Sequence, residues 1–350
     1  MAVKYNPALD GVRAIAVLMV MCFHAGVPRI AGGFMGVDVF FVLSGYLITS
    51  LLMDEYERSG TIRLGFFYQR RFARLTPPLV VMLLVYLLLA GYLWAGMTTA
   101  STLRDVFAAL FYVSNYTLTF WNFPGHLAHT WSLAVEEQFY LLWPLVILFI
   151  CRPNRNRHAF KILVATYFAI TCWRIGWAVV SEHPYQQAYY RFDTRLTGLI
   201  LGALVAMFAK RQPHISLPMK PELLGAASIF LLALYSWKFG NTHVVGLTLG
   251  IPMAEWISTV LIAICIWSDK QTLAYKLLSN RLPVFVGKMS YGLYLWHFPI
   301  FMYMGERYSW QVTFVIGGSL ALIFSVVSYY TVEKMARVKI RELKAIPVAN

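Results

Sequence analysis

Apolar stretches of about twenty residues, the length an α-helix needs to cross a bilayer, recur along the whole of this 350-residue chain. Ten segments read as spans: 12–28, 36–53, 77–97, 131–150, 160–180, 195–209, 222–237, 244–268, 283–303 and 310–332. Segment 195–209 is short, and segment 36–53 opens with Gly36 and Asp38. Inside lipid every backbone polar group must be satisfied within the protein, so such runs predict an all-α integral membrane protein. Composition agrees. Hydrophobic residues make up 59% of the chain and charged residues 13%, whereas a soluble domain is about a quarter charged. A water-soluble globule, a disordered chain and a collagen-like repeat are all excluded.

The formal net charge is +14. In a soluble protein that would point to nucleic acid, but here it reads as topology, because Lys and Arg collect on cytoplasmic loops. Loops 1–13, 54–76, 151–161, 210–220, 268–288 and 333–350 lie on one side and hold 23 of the 30 Lys and Arg. The opposite loops hold six: Arg29, Arg104, Arg191, Arg195, Lys238 and Arg307. Arg174 falls inside a span. Both termini are therefore expected in the cytoplasm, with the bilayer as the first partner and no nucleic acid.

The stretch 98–130 is ambiguous: its residues 104–121 are apolar but contain Asp105, Ser114 and Asn115. A full span there would send Arg152, Arg155 and Arg157 outside, against the bias. It is expected to be a re-entrant or interfacial segment on the outer side. No long soluble insertion or internal repeat appears, so the expectation is one membrane domain over 1–335 and a basic cytoplasmic tail over 336–350. The cysteines Cys22, Cys151, Cys172 and Cys265 are scattered without a CxxC pair, so neither a disulfide framework nor a metal site is expected. The first apolar run leads to Phe23-His24-Ala25-Gly26 without a small-residue cleavage site.

Ionisable groups inside a bilayer are costly, so each is a functional candidate. His24 follows the apolar run 14–23 and lies about 20 Å along the helix from Asp10, toward the outer half of the membrane. It reads either as an interfacial histidine bonded to a carbonyl or as a base. Asp38 starts the next span from the same side. It is a candidate partner that would orient His24, as in a His–Asp dyad, and equally a helix N-cap. His129-Thr130-Trp131-Ser132 opens another span from outside and is followed by Glu136, Glu137 and Gln138. Adjacent positions point about 100° apart, so only one glutamate can face a given cavity; helix-dipole electrostatics is the plainer account of either acid alone.

On the cytoplasmic side, Arg71 and Arg74 are i,i+3 on one helical face, with Arg70 beside them. Arginine forks bind phosphate in a bidentate manner. A positive-inside anchor on anionic lipid is the competing account. Arg191, Asp193 and Arg195 cluster at the outer start of segment 195–209, where they either hold a polar acceptor or pair with one another. Arg174 and Glu255 lie inside spans and suit a structural ion pair. The tyrosines and tryptophan around His297 suit an aromatic girdle. No P-loop, GxSxG elbow, HExxH or EF-hand pattern is present.

Five segments carry a family resemblance: Leu9-Asp10-Gly11-Val12-Arg13-Ala14-Ile15-Ala16 with His24, Gly36-Val37-Asp38-Val39-Phe40-Phe41-Val42-Leu43-Ser44-Gly45-Tyr46, and the stretches 68–77, 130–140 and 290–299. In this order, over nearly the whole chain, they resemble the acyltransferase-3 family of integral membrane acyltransferases. The resemblance implies ten helices and transfer of an acyl group, usually acetyl from acetyl-CoA, to a hydroxyl of a surface glycan or its lipid-linked precursor. His24 matches the family's essential histidine, and Arg71 and Arg74 match its R-x-x-R motif. Some relatives carry an SGNH esterase-like domain after the last helix. This chain ends soon after its last span, so transfer is expected from the membrane domain alone.

The combined expectation is an O-acyltransferase of the bacterial inner membrane. Acyl-CoA is its donor substrate, with no tightly bound cofactor and no metal. Arg70, Arg71 and Arg74 would hold the donor phosphates. His24, supported by Asp38 or Glu136, would take the acceptor proton, directly or through an acyl-histidine. Glu137, Asp193 and Arg195 would contact the acceptor. The competing readings are acylation of a small lipophilic acceptor such as a macrolide, and a non-catalytic transporter or flippase.

Overall fold

The computed structural model describes residues 5–152, 156–238 and 244–335, which form helices and no strand. The basic tail 336–350 lies outside the described residues. Helix α1 (Pro7–His24) starts on Asn6, whose side chain accepts from the Ala8 amide at 3.1 Å, with proline at the first helical position. A 3₁₀ turn, Gly33–Met35, leads into α2 (Gly36–Ser59), which stops where Gly60 takes the left-handed conformation. There follow α3 (Leu64–Leu93), α4 (Thr99–Leu110), α5 (Ser114–Trp121), α6 (Thr130–Ile150), α7 (Asn156–Val180), α8 (Pro184–Tyr189) and α9 (Phe192–Arg211). Then come α10 (Pro221–Lys238), α11 (Ile251–Trp267), α12 (Leu273–Leu278), α13 (Arg281–Gly305), α14 (Trp310–Val312) and α15 (Gly318–Ser328).

Among the described residues, eight helical segments are long and apolar enough to cross a membrane. They correspond to eight of the ten expected spans. The other two expected spans are also helical. Pro221–Trp237 is apolar but shorter. α13 has 25 residues, but its apolar character is diluted by Arg281, Lys288, Ser290, Tyr291, Tyr294 and His297. Large apolar side chains such as Leu88, Tyr92, Leu141 and Val180 face outward around the bundle, as lipid contact requires.

The ambiguous stretch 98–130 forms no span. It splits into α4, of 12 residues, and α5, of eight, on either side of Tyr112, whose φ is 53°. Helices of that length rise less than about 20 Å, short of a hydrocarbon core of about 30 Å. This agrees with the expected interfacial segment. The Tyr86 hydroxyl ties α4 to α3 by donating to buried Asp105 at 3.3 Å.

Helices α2 and α9 pack backbone to backbone. A Cβ on Gly45 would lie 2.0 Å from the Leu199 carbonyl oxygen, and one on Gly202 would lie 1.9 Å from that of Val42. Small residues allow this approach where lipid supplies no hydrophobic drive between helices. The seam holds α2 so that Asp38 and Phe41 face Arg195 of α9. Phe41, Leu43, Ile48, Leu52, Phe139 and Leu199 form much of the buried core around it.

Candidate active site

A cavity of about 320 Å³ opens between α1, α2, α3, α6 and α13, within the usual size of a small-ligand site. Arg13, Arg71 and Arg74 line it together with Glu136 and Tyr140, while Ser132 and Tyr294 line its other reach. Val37, Phe40, Phe41, Leu43, Leu47, Ile48 and Leu51 supply an apolar wall from α2. The cavity therefore joins a basic mouth to an apolar passage.

At the mouth the Arg71 guanidinium lies 4.8 Å from the centroid of the Tyr140 ring. The Tyr140 hydroxyl donates to Glu136 Oε2 at 2.9 Å, so it accepts from Ser44. Arg71, Tyr140, Glu136 and Ser44 thus form one network on the cavity wall. Arg13 is held by Asp10 at 2.6 Å, and the Tyr5 hydroxyl donates to the same carboxylate at 2.7 Å. Arg70 turns away: it pairs with Glu55 at 3.4 Å and lies 4.6 Å over the Phe66 ring. Of the three candidate donor-binding arginines, Arg71 and Arg74 share the cavity face and Arg70 does not.

Beyond the passage lie three histidines, none of which lines the cavity. His24 Nδ1 is 3.0 Å from His297 Nε2, and His297 Nδ1 donates to the Leu293 carbonyl at 2.9 Å. His129 is buried and stacks on Phe298 with centroids 4.7 Å apart. Neither His129 ring nitrogen has a hydrogen-bond partner among the described residues. Tyr294 stands between the cavity and this cluster. Its ring centroid lies 5.5 Å from those of both His129 and His297. Its hydroxyl donates to the His129 carbonyl at 2.9 Å and meets the Ser132 hydroxyl at 2.6 Å. One side chain, Tyr294, therefore stands between the cavity and the histidines.

The expected pairing of His24 with Asp38 does not form. Asp38 Oδ1 instead accepts from Arg195 Nη2 at 2.7 Å, and both side chains are fully buried. The physical reason is charge: a buried carboxylate is far better satisfied by a guanidinium than by a neutral imidazole. Phe41, Trp131 and Tyr189 present their rings to the same guanidinium at 4.8–5.6 Å. Arg174 and Glu255 pair at 3.7 Å as expected, and Thr197 bridges them by bonding to both. Asp193 is held by Arg191 at 2.7 Å and by the Trp173 indole at 2.8 Å. Within the 191–195 cluster Arg191 and Asp193 pair with each other, whereas Arg195 pairs outside it with Asp38. Of the two glutamates only Glu136 lines the cavity; Glu137 Oε1 is buried without a hydrogen bond.

His297, Tyr294, Ser132, Ser44, Tyr140 and Arg13 were not among the candidate site residues. All six lie within the five segments that carry the resemblance, but their convergence depends on helices far apart in the chain. Among the described residues, no group of three or more His, Cys, Asp or Glu side chains could hold a metal ion.

A family model described as an acyltransferase domain matches residues 6–330. The chain belongs to the acyltransferase-3 family. It is 33% identical over 355 residues to O-acetyltransferase OatA of Staphylococcus aureus strain NCTC 8325 / PS 47, across 96% of this chain and 58% of that protein. OatA of strain COL gives the same identity and coverage. This acyltransferase-3 chain thus spans little more than half the length of these relatives. No solved structure matches it.

Proposed function

We propose that the protein is a membrane O-acyltransferase, in the first instance an O-acetyltransferase, moving an acyl group from acyl-CoA to a glycan hydroxyl. The observation that supports this best is the cavity with Arg71 and Arg74 at one end and Tyr294 at the other, one side chain from the His24–His297 pair. In this reading the protein sits in a bacterial cell membrane with its arginine mouth toward the cytoplasm, as the charge bias over the loops favours. Arginine forks at the mouth bind the donor phosphates. The apolar wall of α2 takes the pantetheine arm. Tyr294 must leave its bonds to Ser132 and His129 for the thioester to reach His24. His24 then takes the proton of the acceptor hydroxyl. The name of the relative OatA, an O-acetyltransferase, supports acetyl as the group moved.

The test is purified protein in lipid nanodiscs, supplied with acetyl-CoA and oligosaccharides from the surface polysaccharides of the source cells. Acceptor-dependent CoA release with formation of an O-acetyl ester is expected. Wild-type protein that binds acetyl-CoA yet forms no ester with any acceptor, and whose gene deletion leaves the O-acetyl content of surface polysaccharides unchanged, would refute the assignment.

A further inference from the structure

His24 on α1 and His297 on α13 are 273 positions apart in sequence and in hydrogen-bond contact. The direction of that bond can be deduced. A carbonyl only accepts, so the 2.9 Å contact to Leu293 requires a proton on His297 Nδ1. With both rings neutral, His297 Nε2 then carries a lone pair. The proton in the 3.0 Å contact therefore sits on His24 Nδ1. A neutral imidazole has one N–H, so His24 Nε2 is left as an unprotonated acceptor. That atom has no hydrogen bond to the described residues, and His24 keeps partial exposure while His297 has none.

We propose that His297 is a positioning residue for the transfer reaction. It fixes the tautomer and ring plane of His24 so that Nε2 is held ready for the acceptor hydroxyl. The inference rests on the acyl-transfer reading given above. In the step it serves, the acceptor oxygen bonds to the acyl carbon and its proton passes to His24 Nε2. The thioester C–S bond then breaks, and the departing CoA sulfur takes that proton back. The net products are the O-acyl ester and CoA thiol. The role is the one a carboxylate plays in a Ser-His-Asp triad. Here the site excludes a carboxylate on physical grounds. His297 is enclosed by Phe298, Phe301 and Tyr294, where an unpaired charge would be costly to bury. A neutral imidazole supplies the acceptor without a charge, and the Leu293 carbonyl sets its own tautomer.

The experiment compares wild type, His24→Ala, His297→Leu and His297→Gln in nanodiscs, measuring kcat, donor KM and acetyl-CoA binding. Leucine fills the space without an acceptor, whereas the glutamine amide oxygen can accept from His24 Nδ1–H. His297→Leu should lower kcat by about tenfold or more, within the range of general-base effects, with donor KM unchanged. His297→Gln should recover most of the loss. Ring-¹⁵N spectra of the wild-type protein, assigned through loss of a signal in His24→Ala, should show His24 protonated at Nδ1. Turnover in His24→Ala would refute the base assignment and this inference with it. An inactive His24→Ala protein beside unchanged kcat in His297→Leu, equal loss in the Leu and Gln variants, or an Nε2–H signal for His24 would overturn this inference alone.

Discussion

Asp38 and Arg195 meet at 2.7 Å with neither side chain exposed, and their contact joins α2 to α9 beside the Gly45–Gly202 seam. Removing one partner of such a pair leaves an uncompensated buried charge, at a cost of roughly 3–5 kcal/mol. Asp38→Asn and Arg195→Gln should each lower the thermal midpoint in detergent by several degrees. The double variant should be more stable than either single one, because it leaves no buried charge. Double-variant stability equal to the sum of the two losses would show that the pair is not coupled.

The arginine mouth makes a residue-by-residue prediction. Arg71→Ala and Arg74→Ala should each weaken acetyl-CoA binding by about one to two decades, since a charge-assisted hydrogen bond contributes roughly 1.5–3 kcal/mol. Lysine should restore only part of this, because a point charge cannot reproduce the fork. Arg70→Ala should leave affinity nearly unchanged, because Arg70 is turned to Glu55 and Phe66. Equilibrium binding at matched membrane abundance decides this. A lipid anchor would instead give full rescue by lysine and comparable effects at all three positions.

The two glutamates of α6 should separate. Glu136→Gln removes the charge that accepts from Tyr140 beside Arg71, and turnover should fall by about tenfold or more. Glu137→Gln should stay within about twofold in protein of equal folded yield, because Glu137 is not on the cavity wall. Steady-state rates with saturating donor test the pair; equal effects would remove Glu136 from the network.

Topology can be read with reporters. Fusions after residues 157 and 275 should report the cytoplasm, and one after residue 185 should report the outside. The motive is the placement of 23 of 30 Lys and Arg on one set of loops, with α4 and α5 too short to span. An outside signal at 157 would turn 98–130 into a crossing and reverse every later loop.

The helices were legible because each depends on a local apolar run, and Arg71 and Arg74 because i,i+3 spacing alone puts them on one face. Partners were not legible. Asp38 finds Arg195 from 157 positions away, and nothing local to either says so. Proximity in depth favoured His24, whereas the energetics of a buried carboxylate favoured the guanidinium. His297 lay in a tyrosine- and tryptophan-rich segment that an aromatic girdle explains equally well, and only the α1–α13 contact gives it a role. Arg13 was visible within its motif, but its place on the cavity wall depends on how α1 is rotated against α3.

Tyr294, bonded to Ser132 and to the His129 carbonyl, bears on cell energetics. On the acyl-transfer reading proposed above, a protein that passes a two-carbon fragment through the membrane interior risks opening a wet path that would dissipate the proton gradient. With the phenol locked in place, its ring stands between the basic cavity and the histidines. The acyl arm itself would displace the phenol and fill the gap it leaves, so the passage would be plugged by its own cargo whenever it is open. Acyl transfer and electrical insulation would then depend on the position of one ring.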